Sequence, residues 1–257
     1  PAFSQRLALS DGLNVKFDIR KYGSVAVVLA ATAESNGALR KSRDGGQTWS
    51  APFSAANGFC YPQCSYDIVL GLDPVDSNTV YIGGSAAGYA ANTSELKKST
   101  NGGTTFVDTY TGLHADMHAI AIASPPRNNV IYVGNDGGVF RSTTSGSSWN
   151  SLNTTGLSAT QFESIALHPT DRYFTIGGTQ DNGTPLLKPD ASWFQADYGD
   201  GGFSAIDQNA TNTTAVTMYH TYYNSPGSLI GYARVLTSPC ATKGQWTYHG
   251  IYSGSID

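Results

Sequence analysis

The chain is short of charge. Of its 257 residues only 13% are Asp, Glu, Lys or Arg, whereas helical proteins are usually richer in Glu, Lys and Leu. The 15 basic residues are scattered and the net charge is -4, so electrostatics gives no reason to expect nucleic acid or an anionic membrane as partner. No run of eighteen apolar residues occurs; the longest candidate, "SVAVVLAATA" at 24–33, has the length of a strand. That argues against membrane insertion and predicts a soluble chain. The first residues, "PAFSQRLALSDG", lack the charged-then-apolar layout of a signal peptide, so any such peptide is expected upstream or already removed. Paired Cys/His spacing for zinc is missing too. Cys60 and Cys64 stand in "CYPQC" and Cys240 is alone, which leaves a local Cys60–Cys64 disulfide or two plain thiols.

What the chain does have is 29 Gly, 11 Pro and 15 Tyr, a composition that suits many short strands joined by tight turns. It also repeats. "SRDGGQTW" at 42–49 returns as "STNGGTTF" at 99–106 and "STTSGSSW" at 142–149. The recurring positions are Ser42, Asp44, Gly46, Thr48 and Trp49, then Ser99, Asn101, Gly103 and Phe106, then Ser142, Gly146 and Trp149. Trp193 and Trp246 continue the aromatic series, at intervals of about 43 to 57 residues that bracket a four-stranded propeller blade.

The segments between the aromatics agree. In 118–153, "HAIAIASP" reads as a buried strand, followed by "NVIYVGND", "GVFRSTT" and "SSWNSLN", with Pro, Asn and Gly at the breaks. The same four-part layout fits 65–110 and 162–198, and less regularly 13–53 and 202–251. The expectation is an all-β fold: a β-propeller of four-stranded blades, about five of them in residues 1–257. These form a single propeller domain or a segment of a larger one, because a propeller closes its ring to leave no bare sheet edge. In the repeated hairpin Asp44 accepts backbone N–H bonds, Gly46 takes a backbone geometry closed to other residues, and Trp49 packs between sheets. The motif is a turn lock between third and fourth strands, so Asp44 and Asn101 are read as structural.

At these residues the chain resembles the Asp-box, or BNR-repeat, β-propellers: sialidases, xyloglucan-type glycoside hydrolases, sortilin-like receptors and secreted bacterial proteins of unassigned role. The first hairpin matches fully. The second has Asn101 for Asp and Phe106 for Trp, the third Thr144 for Asp and Ser148 for Thr. The resemblance implies a secreted or cell-surface propeller, and fold alone does not choose the function.

Loops that open on one face of a propeller carry Asp67, His114, Asp116, His118, Asn135, Asp136, Gln180, Asp181, Asn182, Asp197 and Asp200. Three chemistries fit such a rim. Asp136 in "YVGNDGGVFR" and Asp200 in "GDGGF" are similar to phrases around the two catalytic aspartates of xyloglucan-type hydrolases. That likeness implies Asp136 as base and Asp200 as acid. Those enzymes set their acids across a cleft between two propellers, whereas these two lie 64 residues apart in neighbouring blades. A sialidase would need an arginine triad, and no "RIP"-type phrase is present. Clustered oxygens, Asp116, Asp136 and Asp181 foremost, suit calcium, and His114 and His118 with Asp116 suit a transition metal, although no cofactor is required. Finally, Tyr61, Tyr66, Tyr89, Tyr198, Tyr222 and Tyr223 are placed to stack on sugars or anchor a partner. The favoured expectation is a recognition or structural module for a glycan or an extracellular protein, with the hydrolase as the alternative.

Overall fold

The computed structural model describes residues 4–10, 14–88, 93–153, 160–188, 190–224, 229–236 and 245–249, with backbone alone at 223, 224, 229 and 230. Nineteen strands and two short 3-10 turns, Glu34–Asn36 and Ser54–Ala56, are found among them. No helix among the described residues is long and apolar enough to cross a membrane. The chain divides into two compact units, Pro1–Ala159 and Thr160–Asp257.

The first unit holds three sheets. Strands β1 (Val15–Tyr22), β2 (Val25–Thr32) and β3 (Ala38–Ser42) form the first; β4 (Val69–Leu72), β5 (Val80–Gly83), β6 (Lys97–Ser99) and β7 (Val107–Asp108) the second; β8 (Met117–Ile122), β9 (Ile131–Asn135), β10 (Gly138–Ser142) and β11 (Asn150–Ser151) the third. The second unit holds two: β12 (Phe162–Leu167) to β15 (Trp193–Asp197) with β13 (Thr175–Thr179) and β14 (Thr184–Leu187) between them, then β16 (Ser204–Ile206), β17 (Met218–Asn224), β18 (Leu229–Val235) and β19 (Thr247–His249). In every sheet each strand pairs antiparallel with the next in sequence, the meander of a propeller blade. The fold is all-β and built of β-propeller blades.

One blade departs from the four-stranded expectation. After β3 and its hairpin the chain returns along β3 with two backbone–backbone bonds, Ser50 N–H to the Lys41 carbonyl (2.9 Å) and Phe53 N–H to the Leu39 carbonyl (3.0 Å), while Ser50 Oγ accepts the Lys41 N–H (3.0 Å). Two isolated bonds are too few for a regular fourth strand, and the sheet is three-stranded.

Alternation along β4 explains how the sheets of the first unit stack. Leu70 and Leu72 point into a cluster shared with Leu29, Ala31 and Leu39 of the first sheet, while Val69 joins Met117, Ile131 and Val133 of the third. Between them Gly71 leaves room for the third sheet: a methyl group there would lie 3.3 Å from the Cδ1 atoms of both Ile120 and Ile122. The stretch read as a buried strand, "HAIAIASP", is therefore buried on one side only. Met117 is inside, Ile120 and Ile122 face β4, and Ala119 and Ala121 are exposed. In the second unit Phe174, Ile176, Leu186 and Ala196 pack with Met218, Ala233, Val235 and Trp246.

The three hairpins share one hydrogen-bond cage. Ser42 Oγ accepts the Gly46 N–H (2.8 Å) and donates to Asp44 Oδ1 (2.7 Å), and the Asp44 carboxylate accepts the N–H (2.9 Å) and hydroxyl (2.6 Å) of Thr48. Those bonds from Thr48 and Ser42 hold the Asp44 carboxyl down at about 2. In the second hairpin Asn101 Oδ1 accepts the Thr105 N–H (2.9 Å), and in the third Thr144 Oγ1 accepts the Ser148 N–H (3.0 Å). One side-chain oxygen at that position suffices, so Asp, Asn and Thr all serve. Gly46 adopts φ +90°, as the turn requires.

Candidate functional site

A disulfide between Cys60 and Cys64 closes the loop that leads into β4. Within and just beyond it, the N–H groups of Tyr66 (2.9 Å) and Asp67 (2.8 Å) both donate to the Gln63 carbonyl. The loop sits flat on the end of β5 because residue 84 is glycine: a Cβ there would fall 2.6 Å from the Cys60 Cα and 3.0 Å from the Asp67 carbonyl oxygen. This packing drives Asp67 inside, with none of its surface exposed.

His118, on β8, lies between two carboxylates. Its Nδ1 is 3.2 Å from Asp67 Oδ1, and its Nε2 hydrogen-bonds Asp136 Oδ1 in the turn between β9 and β10. Asp116, two residues before, turns its Oδ1 to Ser85 Oγ (3.0 Å) and Gln63 Nε2 (3.2 Å), both of which donate to it. One oxygen each of Asp116 and Asp136 comes within 4.8 Å of the other. The ring of Tyr66, 69% exposed, stands edge-on to His118 at 5.0 Å between centroids. Burial, with the nearby charge of Asp116, pushes the Asp67 carboxyl up to about 7; His118 acts the other way and Asp136 adds to the rise.

His114 and Asn135 serve as scaffold for this cluster. The Asn135 amide donates to the His114 carbonyl (3.0 Å) and its oxygen accepts the Gly137 N–H (3.1 Å). Gly137 lies against the His114 side chain, where a Cβ would come within 2.4 Å.

The remaining sequence-predicted residues belong to the second unit. Asp200 Oδ1 accepts the Asp181 N–H (3.0 Å) and the Gln180 amide (3.1 Å), and Asn182 donates to the Gln180 carbonyl (3.0 Å). Burial raises the Asp200 carboxyl, with the Asp181 charge adding to it and the Asp181 N–H opposing it. Asp197, expected on the rim, is instead 3% exposed, facing His220 Nε2 (2.8 Å) and the Tyr248 hydroxyl. Burial alone would raise it, but the bonds from His220 and Tyr248 outweigh burial and lower its pKa.

Asp116, Asp136 and His118 thus meet in the first unit with Asp67. Asp181 and Asp200, the third candidate metal ligand and the second candidate catalytic acid, are carried by the other unit. Tyr61 and Tyr198 are exposed and Tyr222 is half-buried. Tyr89, the side chain of Tyr223 and Cys240 lie outside the described residues. Sequence reasoning missed Gln63 and Ser85; the only signal for Gln63 is its place inside the "CYPQC" loop.

No protein-family model and no curated protein matches the chain. Among solved structures it is similar to a GH74 enzyme of Niastella koreensis (18% identity over 91% of this chain and 38% of that one, TM-score 0.40). It is likewise similar to the GH74 xyloglucanase from Xanthomonas campestris (16%, 91% and 38%, 0.38), and to YCF48 bound to D1 peptide (14%, 94% and 70%, 0.37). The chain spans less than two-fifths of the length of either GH74 protein.

Proposed function

We propose that the protein is a secreted or cell-surface Asp-box propeller module that recognises a glycan at the Asp116–His118–Asp136 cluster. The observation that carries this reading is the exposed ring of Tyr66 beside that cluster. A sugar presents an apolar C–H face and a rim of hydroxyls. An aromatic ring takes the face, while carboxylates, an imidazole and the Gln63 amide take the hydroxyls. The Cys60–Cys64 disulfide supports an oxidising compartment, and the shared hairpin cage supports the Asp-box reading.

The test is binding to a panel of soluble polysaccharides by calorimetry. Tyr66→Ala and Asp136→Asn should each weaken binding at least about tenfold while leaving the far-UV spectrum unchanged. Binding unaffected by both would overturn the site. Retention of no polysaccharide at all would overturn the glycan reading.

The hydrolase alternative keeps one specific support: Asp200 has the raised pKa that a general acid needs. It predicts release of reducing ends that Asp200→Asn abolishes in a folded protein, and the recognition reading predicts no turnover.

A further inference from the structure

A cavity in the first unit, between its first and second hairpins, holds two cations that form no salt bridge among the described residues. Its volume is about 340 Å³, within the range of small-ligand sites, and Lys41, Arg43, Phe53, Asn78, Gly102 and Thr104 line it. Lys41 is 7% exposed, and its ammonium donates to the Ser77 carbonyl at 2.5 Å. That bond occupies one of its three N–H donors. Arg43, on the hairpin itself, is exposed. A buried charge is costly unless it is paired. The neighbouring carboxylates are committed to their own turns: Asp44 accepts from Ser42 and Thr48, and Asp76 accepts the Asn78 N–H (2.9 Å) and the Thr79 hydroxyl (2.8 Å). Burial, and then the charge of Arg43, hold the Lys41 ammonium below its ordinary pKa, with Asp76 opposing them.

The other hairpins show what is particular to this one. Lys98, which precedes Ser99 as Lys41 precedes Ser42, also donates to a carbonyl beyond its own sheet, that of Ser145 (3.0 Å). Such a bond joins sheets and needs no ligand. Lys98, however, lies over the Tyr81 ring at 5.5 Å, and Thr100 and Thr143 stand where the first hairpin has Arg43. Two cations around one cavity therefore belong to the first hairpin. Residue 102 keeps that cavity open, since a Cβ there would stand 3.4 Å from Asn78 Oδ1 and 3.6 Å from Lys41 Nζ. Asn78 is held by its backbone, its N–H on Asp76 and its carbonyl accepting the Gly102 N–H (2.8 Å), which leaves its side-chain amide for a ligand. Phe53 supplies an apolar wall.

We propose that this cavity binds an acidic sugar, a uronate, with its carboxylate between Lys41 and Arg43 and its C–H face against Phe53. The guanidinium fork and the ammonium both donate to a carboxylate, and charge-assisted bonds of this kind are the stronger ones. The Asn78 amide takes a sugar hydroxyl. The bound anion supplies the counter-charge that Asp44 and Asp76, held in their turns, do not. This site shares no residue with the Asp116–His118–Asp136 cluster and does not rest on the glycan reading of that cluster.

The test follows the backbone amides of the whole chain by proton–nitrogen correlation NMR during titration with methyl glucuronide. Methyl glucoside and acetate are the controls, each keeping one half of the ligand. The uronide should bind saturably with a dissociation constant of about a millimolar, at least about tenfold tighter than either half. The amides of Arg43, Asn78, Gly102 and Thr104 should move, and added salt should weaken the binding. Arg43→Gln, on an exposed side chain, should weaken the uronide at least about fivefold with an unchanged far-UV spectrum, and Lys41→Gln at least as much; if Lys41→Gln does not fold, Arg43→Gln decides alone. Wild-type affinity in Arg43→Gln, glucoside or acetate binding as tightly as the uronide, shifts gathered at Tyr66 and Asp136 instead, or no saturable shift up to about ten millimolar each overturns the proposal. Uronide binding in the cavity, together with polysaccharide binding that Tyr66→Ala and Asp136→Asn leave unchanged, upholds this site and fails the other reading alone.

Discussion

Trp149→Ala gives the sharpest measure of how the second and third sheets are joined. The indole is half-buried against the cluster of Val69, Tyr81, Leu96, Met117, Ile131, Val133 and Phe140, and its Nε1 donates to the Thr109 carbonyl at 2.7 Å. Thr109 in turn donates its hydroxyl to the Gly146 carbonyl. The Tyr81 hydroxyl (3.1 Å) and Lys98 ammonium (3.0 Å) both donate to the Ser145 carbonyl. The third hairpin is therefore pinned on the second sheet by four bonds, one of them the tryptophan's own. Truncating a fully buried tryptophan costs about 3 to 5 kcal/mol. Half burial reduces the packing part to about 2 kcal/mol, and the lost hydrogen bond adds about 1 kcal/mol, so the expected cost is about 3 kcal/mol. Trp149→Phe keeps a ring and loses the bond, which isolates the smaller part at about 1 kcal/mol. Trp193→Ala is the internal control: that indole is 49% exposed and meets the ring of Phe162 at 5.6 Å, so its loss should cost about 1 kcal/mol. Urea denaturation followed by far-UV circular dichroism, fitted with a common slope, reads all three. A Trp149→Ala cost under about 1 kcal/mol, or one no larger than that of Trp193→Ala, would refute the inference that the recurring aromatic joins one sheet to the next.

Other sites test other parts of the argument. Gly84→Ala places a methyl group 2.6 Å from the Cys60 Cα, backbone that cannot step aside, and should cost at least about 2 kcal/mol in the same urea assay. Asn101→Asp keeps the oxygen that accepts the Thr105 N–H and should lie within about 0.5 kcal/mol of the parent, whereas Asn101→Ala leaves that N–H unpaired in the hairpin and should cost about 1 kcal/mol. Asp197 is held below its ordinary pKa by His220 and Tyr248, so its contribution is present at pH above the unfolded value near 3.8 and disappears as the pH falls through the lowered folded value. Asp197→Asn should therefore destabilise most at neutral pH and progressively less in acid, and a penalty independent of pH from 7 to 2 would contradict the assignment.

The hairpins were legible because their chemistry is local. A side-chain oxygen two residues after the serine, a glycine two further on and an aromatic at the end are close enough in sequence to specify the cage without help from the rest of the chain. For the same reason the exchange of Asp44 for Asn101 and Thr144 did no harm to the reading, since each supplies the acceptor. Strand pieces in the third sheet were legible from their Pro, Asn and Gly breaks, but which face of β8 was covered was not. Alternating alanine and isoleucine are apolar on both sides, and only the approach of Ile120 and Ile122 to Gly71 shows the side that packs.

Asp197 and Asp200 show why the acidic residues were harder. Both stand in "DYGDGG" and composition does not tell them apart, but Asp197 is the last residue of β15, where a register shift after Gln195 breaks the strand's alternation, so that Asp197 is buried next to Ala196 instead of exposed like Trp193 and Gln195, and it faces His220, 23 positions later. Asp200 lies beyond the strand and escapes that constraint. In the first unit the decisive contacts are more distant still: Gln63 reaches Asp116 across 53 residues, and Ser85 reaches it across 31. A sequence can mark the loops where such carboxylates reside; which of them is forced into the interior depends on strand register and on the disulfide loop that folds over Asp67. It is that enforced burial, rather than the number of acids, that makes the Asp67 cluster chemically distinct from the exposed aspartate of the first hairpin.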